Sequence, residues 1–532
     1  MDVEKIPTTI YEIRTTNDAQ TDPFGKKGQF EVGGEIMWRM VAVLVLMGLC
    51  VHTAAAFPGS GTQQDPWRIQ SLADFDEFAA DPNYWSGFTR LETDVNLAGR
   101  TYSTAVIAPD VNNSNWYFDG TPFTGVFDGH DHKIVWLTID DGGAVNCYLG
   151  LFGYIEDGEV RNLRLEGGSL SGESAVGGLV GWNEGSISNC YSTGDVNGYG
   201  CVGGLVGSNC KGSIVSNCFS TSNVNGGERV GGLVGENYYG SISNCYSTGD
   251  VNGYNYIGGL VGISNGSVSN CYSIGDVSGD YEVGGLCGDN GGTVSNCYST
   301  GDVSGTDWDV GGLVGANGGS ISDCHSTGDV NGDGEVGGLV GLNYSSVSNC
   351  YSTGDVIGTG SDVGGLVGFN YGSVSNCYST GDVNGDWDVG GLVGLNGCRS
   401  IGPIPGYIFK SYSTGSVQGA SNVGGLIGYH FVGDIEGSFW DVQTSGEPNM
   451  CGEQGEYASG CDPNCGKTTA EMKTRSTFTD AGWDFVEIWL INEGATYPVL
   501  RQEIRSDLNG DGGVDFVDFA IFADHWLEGI TP

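Results

Sequence analysis

Short apolar runs alternate with glycine and asparagine through most of the chain. Between residues 176 and 440 the apolar residues come in small groups such as Leu179-Val180, without the three- and four-residue spacing of an amphipathic helix. Each intervening glycine would destabilise a helix by about 1 kcal/mol. The pattern instead predicts three brief β-strands in each repeat, separated by turns.

This pattern recurs every 26 to 28 residues, with one irregular coil of 34 residues near its end. The phrase VGGLVG or a close variant places a Gly-Gly pair at the start of each unit. These pairs begin at Gly177, Gly203, Gly231, Gly258, Gly284, Gly311, Gly337, Gly364, Gly390 and Gly424. One unit cannot bury its apolar face alone, whereas stacked units bury it continuously. The sequence therefore predicts an all-β parallel solenoid of about 10–12 coils, each rising about 4.8 Å.

Stacking places equivalent residues in columns along the solenoid. We expect Ile187 and Cys190 to point inward, with Asn189 bending the chain between them in the left-handed conformation. The equivalent cysteines should be buried free thiols, because parallel Cβ atoms about 4.8 Å apart exceed the usual disulfide separation of about 3.8 Å. They are Cys190, Cys218, Cys245, Cys271, Cys297, Cys324, Cys350 and Cys377. The asparagines should form an architectural ladder: Asn189, Asn217, Asn244, Asn270, Asn296, Asn349 and Asn376, with Asp323 in one coil.

An aromatic row follows the cysteines and is expected to point outward. It comprises Tyr191, Tyr246, Tyr272, Tyr298, Tyr351, Tyr378 and Tyr412, with Phe219 and His325 in two coils. An exposed aromatic stripe suits the binding of sugar rings or of a partner protein. The alternative is that these rings pack inward or cover strand edges.

An aspartate row lies beside the aromatic row, in the phrase TGDV. It comprises Asp195, Asp250, Asp276, Asp302, Asp329, Asp355 and Asp382. Carboxylates about 5 Å apart repel by roughly 0.8 kcal/mol per pair in water. We expect this row either to be solvated or to be bridged by calcium.

The repeated phrase GGLVG-x-N-x-GSISNCYSTGDVNG, over residues 176–440, resembles the GLUG motifs of secreted bacterial adhesin-like proteins and of a family of immunoglobulin A peptidases. The resemblance implies a right-handed β-helix at a cell surface. Residues 57–175 resemble the lead-in segment that precedes such repeats, and are expected to form the first irregular coils. Peptidase activity is not implied, because no HExxH zinc motif occurs among the six histidines.

The N-terminal region predicts export. Residues 40–51 form an apolar run that precedes the small residues Ala54, Ala55 and Ala56, as in a signal peptide spanning 37–56. The run is too short for a membrane span. Residues 1–36 read as a leader of doubtful translation, with Met37 or Met40 as alternative starts. The mature protein is expected to be secreted, extracellular or attached to the cell surface.

Four cysteines outside the repeated column are candidates for disulfide bonds. Cys398 lies in the irregular coil, and Cys451, Cys461 and Cys465 lie in a predicted C-terminal cap at 441–505. In an exported protein these four suggest two disulfide bonds that connect loops. Zinc is the weaker alternative, because paired CxxC units are absent from their spacing.

The tail at 506–532 predicts a calcium site. Oxygen ligands fall at positions 1, 3, 5, 7, 9 and 12 of an EF-hand loop, with Gly512 at the sharp sixth position. The ligands are Asp507, Asn509, Asp511, the Gly513 carbonyl, Asp515 and Asp518. The loop and the short helix after it resemble a dockerin unit, which implies bound Ca2+ and a cohesin-like partner. Dockerins usually carry two such units, and this sequence shows one.

Charge narrows the choice of partners. The chain has 65 acidic and 20 basic residues, a formal net charge of -45, which excludes nucleic acid and anionic membrane surfaces as main partners. Residues 177–440 contain four basic residues, Lys211, Arg229, Arg399 and Lys410, too few to favour a lyase for acidic glycans. The cluster His130-Asp131-His132, near Asp119 and Asp128, is either a catalytic or metal site or a tight surface turn.

These observations predict a binding protein for adhesion or for carbohydrate or protein ligands, attached through its calcium-dependent tail. The expected partners are a polysaccharide or cell-surface glycan and a cohesin-like protein, with no membrane span. The alternative is a polysaccharide-degrading hydrolase or lyase on a β-helix scaffold. Catalysis is the less favoured alternative, because it needs a unique group such as paired carboxylates and the coils repeat the same residues.

Overall fold

The computed structural model describes residues 57–112, 117–144, 146–399 and 403–501. They belong to one compact unit that begins at Phe57. The predicted signal peptide at 37–56 and the predicted calcium loop at 507–518 lie outside the described residues.

The fold is a parallel β-solenoid of about 12 coils, as the sequence predicts. Strands of successive coils pair in parallel and in register, so that Tyr246 lies opposite Tyr272 and Asn317 opposite Asn343. The strands form two long sheets with 23 and 31 members. Residues at the same position of successive coils therefore stand in columns along the solenoid.

Most coils contain five short strands rather than the three predicted. The first full coil does have three, at Val180–Ser188, Tyr191–Asn197 and Gly200–Gly203. In later coils the first of these strands is divided in two after the G-x-N phrase, and the second is divided in two at the TGD turn. The third, just before the Gly-Gly pair, stays a separate strand in most coils.

The first sheet contains two strand positions of each coil. Its repeat strands are Val180–Ser188, Val206–Cys210, Ile214–Ser216, Val234–Tyr238, Ser241–Ser243, Val261–Ser264, Ser267–Ser269, Cys287–Asn290, Thr293–Ser295, Val314–Asn317, Ser320–Ser322, Val340–Asn343, Ser346–Ser348, Val367–Asn370, Ser373–Ser375, Val393–Asn396, Gly406–Phe409, Ile427–Glu436 and Cys451–Ser459. Its lead-in strands are Trp67–Ile69, Phe88–Leu91, Val126–Asp128 and Phe152–Arg161.

The second sheet contains the other three positions. Its repeat strands are Ser174–Gly177, Tyr191–Asn197, Gly200–Gly203, Phe219–Ser220, Val224–Asn225, Glu228–Gly231, Tyr246–Ser247, Val251–Asn252, Asn255–Gly258, Tyr272–Ser273, Val277–Gly279, Tyr281–Gly284, Tyr298–Ser299, Val303–Gly305, Trp308–Gly311, His325–Ser326, Val330–Gly332, Gly334–Gly337, Tyr351–Ser352, Val356–Gly358, Ser361–Gly364, Tyr378–Ser379, Val383–Gly390, Tyr412–Ser413, Val417–Gly424, Phe439–Asp441 and Gly466–Lys467. Its lead-in strands are Val95–Asn96, Lys133–Asp140, Cys147–Leu149 and Arg164–Ser171.

The core is continuous from Phe57 to Met450 and is built from columns of leucine, valine, isoleucine and cysteine. The eight repeated cysteines are buried free thiols, as predicted. The N–H of Cys190 donates to Sγ of Cys218 (3.4 Å), and Sγ of Cys245 donates to the Ser243 carbonyl (3.2 Å). Burial raises the pKa of the Cys218 and Cys324 thiols. Cys218 and Cys324 are therefore packing residues that keep their protons.

The Gly-Gly turn leaves no room for a side chain. A Cβ atom on Gly231 would lie 2.0 Å from the Val234 carbonyl oxygen, and one on Gly204 would lie 2.3 Å from the Gly232 oxygen. The asparagine bend is confirmed as well: Asn189 has a φ of 52°, and its counterparts share the left-handed conformation. The Gly-Gly turn and the asparagine bend are therefore two of the places where each coil changes direction.

The ends of the solenoid are covered by irregular segments. Helix α1 (Leu72–Ala80) packs on the first coil with Phe75 and Phe78 buried, and a 3-10 turn (Pro82–Tyr84) follows it. At the other end, a 3-10 turn (Pro463–Cys465) precedes helix α2 (Thr469–Met472) and helix α3 (Arg475–Thr479). A two-stranded ribbon (Trp489–Leu490 and Val499–Leu500) completes this cap.

The structure contains one disulfide among the four cysteines expected to form two. Cys451 and Cys461 are bonded, whereas Cys398 and Cys465 are free thiols. Cys398 lies in an antiparallel ribbon with Ile404 and packs against the cluster of Ala316, Leu342 and Phe369. Cys465 packs instead against the core and the cap. The two free thiols therefore have different neighbours.

Candidate functional site

The predicted aromatic stripe is a continuous stack of nine rings. Neighbouring centroids from Tyr191 to Tyr412 lie 4.6–5.1 Å apart, with interplanar angles of 1–16°. The rings from Tyr191 to Tyr351 are half-buried. Tyr378 and Tyr412 are buried beneath the cap, where the Tyr412 hydroxyl donates to the Pro498 carbonyl (2.6 Å).

This stacking limits what the stripe can offer to a ligand. Each ring face is covered by the ring of the next coil, so the edges are the parts directed away from the stack. At the N-terminal end the Tyr191 hydroxyl donates to Glu166 (2.7 Å). Burial and this hydrogen bond raise the pKa of Tyr191 to about 12. Sugar rings stack on open aromatic faces, which this column lacks.

The aspartate row is exposed and helps to join the coils. The N–H of Asp276 donates to Oδ1 of Asp250 (3.2 Å), and the N–H of Asp302 donates to Asp276 (3.0 Å). The same bond recurs along the row up to Asp382, which accepts from Ser416. Among the described residues, no three His, Cys, Asp or Glu side chains are grouped to hold a metal ion. The row is an exposed ladder in which each aspartate oxygen accepts from the backbone of the next coil.

A second amide ladder, absent from the sequence predictions, runs inside the solenoid. Its members are the asparagines of the phrase G-x-N: Asn183, Asn209, Asn237, Asn290, Asn317, Asn343, Asn370 and Asn396, all fully buried. Nδ2 of Asn317 donates to Oδ1 of Asn343 (2.8 Å), and Asn343 donates to Asn370 (2.8 Å). The ladder ends at His430, whose Nδ1 lies 3.1 Å from Nδ2 of Asn396. Ser264 replaces the asparagine in one coil and accepts from Nδ2 of Asn237 (3.1 Å). The regular spacing of this asparagine in the other coils was the available signal.

The His130-Asp131-His132 cluster is a tight turn. His130 and Asp131 have φ values of 50° and 62°. Asp128 accepts from the His130 N–H (2.9 Å) and from Arg161 Nε (3.0 Å), while His132 contacts Asp94 (3.0 Å). Burial opposes ionisation of Asp128, yet these bonds and one from Asn162 lower its pKa. Asp119 binds elsewhere, to the Asn112 amide (2.7 Å).

A column of five carboxyl groups occupies the residue before each VGG phrase in five successive coils. We call Glu282, Asp309, Glu335, Asp362 and Asp388 the carboxyl column; all five have φ values of 51–66°. Hydrogen bonds join Asp309 to Glu335 and Asp362 to Asp388. Burial raises the pKa of Glu282 to about 8 and that of Asp362 to about 7. Sequence reasoning missed this column because Ala175, Cys201, Arg229 and Tyr256 hold the same position in earlier coils.

A row of exposed aromatic residues lies next to the carboxyl column. We call Tyr281, Trp308 and Trp387 the aromatic ridge; their exposed fractions are 45%, 45% and 58%. They occupy one register position, two residues before each Val-Gly-Gly. The Trp308 ring covers Gly334 of the next coil, where a Cβ would meet three ring atoms at 3.0–3.3 Å. The phrase DWDVGG, which occurs twice, was the signal that sequence reasoning passed over.

Within the described part of the chain, no helix has the length and apolar character needed to cross a membrane.

Comparison with known proteins identifies the repeat. The GLUG motif model matches residues 172–197, 226–252, 253–278, 279–304, 306–331, 332–357 and 359–384. The unmatched coil between them pairs in register all the same, with Val202 opposite both Val176 and Val230. The structure thus extends the repeat beyond the matched segments.

Two curated proteins share part of this sequence. Halomucin of Haloquadratum walsbyi is 32% identical over 149 residues, which are 27% of this chain and 2% of halomucin. A protein of Evansella cellulosilytica named as a Gly-rich membrane protein is 38% identical over 91 residues, 13% of this chain and 10% of the relative. The chain thus spans a small part of either relative's length.

One solved structure is similar at a distance. It is named as a candidate immunoglobulin A1 protease from Bacteroides ovatus, with 17% identity, a TM-score of 0.25 and coverage of 84% of this chain and 94% of that chain. A likeness at this TM-score carries no argument about activity. What the motif matches and the strand register establish together is a parallel β-solenoid that carries seven GLUG motif repeats.

Proposed function

We propose that this protein works outside the cell or at its surface as a binding protein, in adhesion or in recognition of a carbohydrate or protein ligand. The observation that carries the proposal is the repetition of the exposed surface. Equivalent side chains face outward coil after coil, so the solenoid offers a series of similar contacts. Such a surface suits a repeating ligand, whereas catalysis needs one chemically distinct group of residues.

Charge and relatives support the same location. The formal net charge of -45 opposes binding to nucleic acid and anionic membranes. One relative is named halomucin and the other a Gly-rich membrane protein, names that agree with a surface location. The predicted signal peptide at 37–56 would provide the export.

A glycan array tests this proposal with purified full-length protein. We expect binding to one or more surface polysaccharides, without time-dependent release of reducing sugar from any of them. Steady release of reducing sugar would contradict a binding role and favour the polysaccharide-degrading alternative.

We also propose that the tail at 507–518 binds Ca2+ and attaches the protein to a cohesin-like partner. The support is the spacing of six oxygen ligands in the sequence. Calorimetric titration with calcium should detect one site in the full-length protein and none in Asp507→Ala. The matched control is Asp382→Ala, which changes an exposed aspartate of the solenoid. An isotherm unchanged by Asp507→Ala would overturn the assignment.

A further inference from the structure

We propose that the aromatic ridge of Tyr281, Trp308 and Trp387 binds a neutral polysaccharide chain that lies along the solenoid axis. This inference rests on the proposed binding function and names its site and its class of ligand. It also places the site away from the tyrosine stack, which the sequence analysis offered as a candidate stripe.

The first support is the open face of the ridge. The six-membered ring of Trp308 lies against the backbone of Gly334, since a Cβ there would stand 3.0 Å from ring atom Cε3. No ring stacks on Trp308 among the described ring contacts, and 45% of the residue is exposed to solvent. In the tyrosine stack, by contrast, each face is covered by the next ring about 4.9 Å away. An open indole face is the surface on which the apolar face of a sugar packs.

The second support is the polar border of the ridge. An aspartate precedes the ridge position in four coils: Asp280, Asp307, Asp333 and Asp386. Asp280 accepts from the Thr306 hydroxyl (2.7 Å), and Asp333 accepts from the Thr359 hydroxyl (2.8 Å). Carboxylate oxygens with spare lone pairs accept further bonds from sugar hydroxyl groups.

The charge of this border selects the ligand. The carboxylates repel uronic acid and sulfated chains, so the polysaccharide is neutral. A threonine hydroxyl leaves the carboxylate its charge, so a basic peptide is the competing ligand, which the lysine-rich probe below tests. Asp280 and Asp333 accept threonine hydroxyls, and the Tyr281 hydroxyl bonds to Asp307, which raises the pKa of Tyr281. What distinguishes a sugar from a peptide here is the exposed aromatic surface of the ridge, which favours the apolar faces of sugar rings.

The third support is the direction of the ridge. Tyr281 and Trp308 stand on successive coils, and Trp387 stands three coils beyond Trp308. At about 4.8 Å per coil, Trp308 and Trp387 are about 14 Å apart along the axis. A linear chain with a repeating unit meets the ridge residues in order, which a compact ligand does not.

Affinity electrophoresis in gels containing β-glucan, xylan, mannan or soluble chitin derivatives tests the inference with full-length protein. Polygalacturonate and a lysine-rich peptide serve as charged probes. We expect retardation by at least one neutral polysaccharide. The double variant Trp308→Ala/Trp387→Ala should bind it about tenfold more weakly, because two ring contacts are lost.

Two further variants sharpen the test. Gly334→Leu keeps both tryptophans but places a side chain where the Trp308 ring lies against Gly334. The displaced ring should also weaken binding. Trp136→Ala is the matched control, since Trp136 is 56% exposed and covers Gly167 in the lead-in, away from the ridge. It should bind as the wild type does. Unchanged circular dichroism of each variant verifies that the solenoid is intact.

The outcomes separate this inference from the proposed function. If the wild type binds a glycan and the double variant binds it equally well, the ridge assignment is wrong while the binding function stands. If the wild type binds no polysaccharide, the carbohydrate part of the proposed function fails as well. Loss of binding to the lysine-rich peptide alone in the double variant would overturn the class of ligand.

Discussion

At the scale of single residues, the buried amide ladder holds the coils in register. A primary amide can accept from one neighbour and donate to the next, so each asparagine of the ladder joins adjacent coils without charge. Asn317 lies within this ladder: its side-chain oxygen accepts from Asn290, and its Nδ2 donates to Asn343. Removing one amide leaves a buried donor and a buried acceptor unpaired, which is costly in an apolar interior.

Asn317→Ala is therefore expected to lower the free energy of unfolding by about 3 kcal/mol, from two unpaired groups and a small cavity. Chemical denaturation measures the change. Asn252→Ala, at an exposed asparagine of a neighbouring strand position, should change it by less than about 0.5 kcal/mol. Equal losses in the two variants would show that burial of the ladder contributes nothing.

The carboxyl column predicts a pH dependence of stability. Burial raises the pKa of Glu282 to about 8, of Asp362 to about 7 and of the facing Asp289 to about 6; Glu335 and Asp388 are raised too. The folded state then binds more protons than the unfolded chain, whose carboxyl groups titrate near pH 4. Burial lowers the pKa of His325 to about 4 and also lowers that of His430, and these two act in the opposite sense below about pH 6.5. Stability should therefore fall as pH rises from about 6.5 to about 8.

The variant Glu335→Gln should be more stable than the wild type at pH 8 by about 1 kcal/mol or more and should show a weaker pH dependence. Thermal unfolding between pH 4.5 and 8.5 measures it, in a range above the titration of Asp128 and Glu166, whose pKa values are lowered. The exposed Glu456→Gln is the control. A wild-type stability that rises toward pH 8 would contradict the prediction.

At the scale of elements, the Gly-Gly turn is where the chain tolerates least change. Gly231 lies so close to the Val234 carbonyl that any side chain must displace backbone. Gly212 offers a contrast: its φ of 79° disfavours side chains, but its surroundings are open. The two positions separate crowding from backbone strain.

Gly231→Ala should lower the free energy of unfolding by about 3 kcal/mol or more, because the clash is with main-chain atoms. Gly212→Ala should cost about 1 kcal/mol, the strain of a left-handed alanine alone. Urea denaturation compares them. A Gly231 variant no less stable than the Gly212 variant would refute the crowding argument.

At the scale of the whole molecule, stability is a sum over neighbouring coils. Asn331 pairs with Ile357 and Gly332 with Gly358, so residues 332–357 are one complete coil. Their removal places Gly358 at the position of Gly332, so the remaining coils can pair in the same register. A deletion of half that length would turn apolar residues outward.

Deleting residues 332–357 should therefore leave a folded solenoid with the circular dichroism of the parent and somewhat lower stability. Deleting 332–344 should give an aggregated or unfolded protein. Size-exclusion chromatography and thermal unfolding distinguish the two. Equal behaviour of both deletions would show that the coil is not the unit of the fold.

The sequence alone determined the solenoid, its repeat length, the buried thiols and the left-handed asparagine bend. These follow from local periodicity, because a residue such as Asn189 sets its own backbone angle and a fixed coil length brings like residues together. The sequence also indicated the aromatic and aspartate rows, since each recurs once per coil at a constant position.

Only the tertiary structure decided which side chains a ligand can reach. The tyrosine rings stack on one another, while Trp308 covers Gly334, 26 residues away, and leaves a face open. The carboxyl column was equally hidden, because the residue type at its position varies from coil to coil. Exposure and proton affinity depend on contacts between coils, and those contacts are set by side-chain direction and spacing across the sheet rather than by neighbours along the chain.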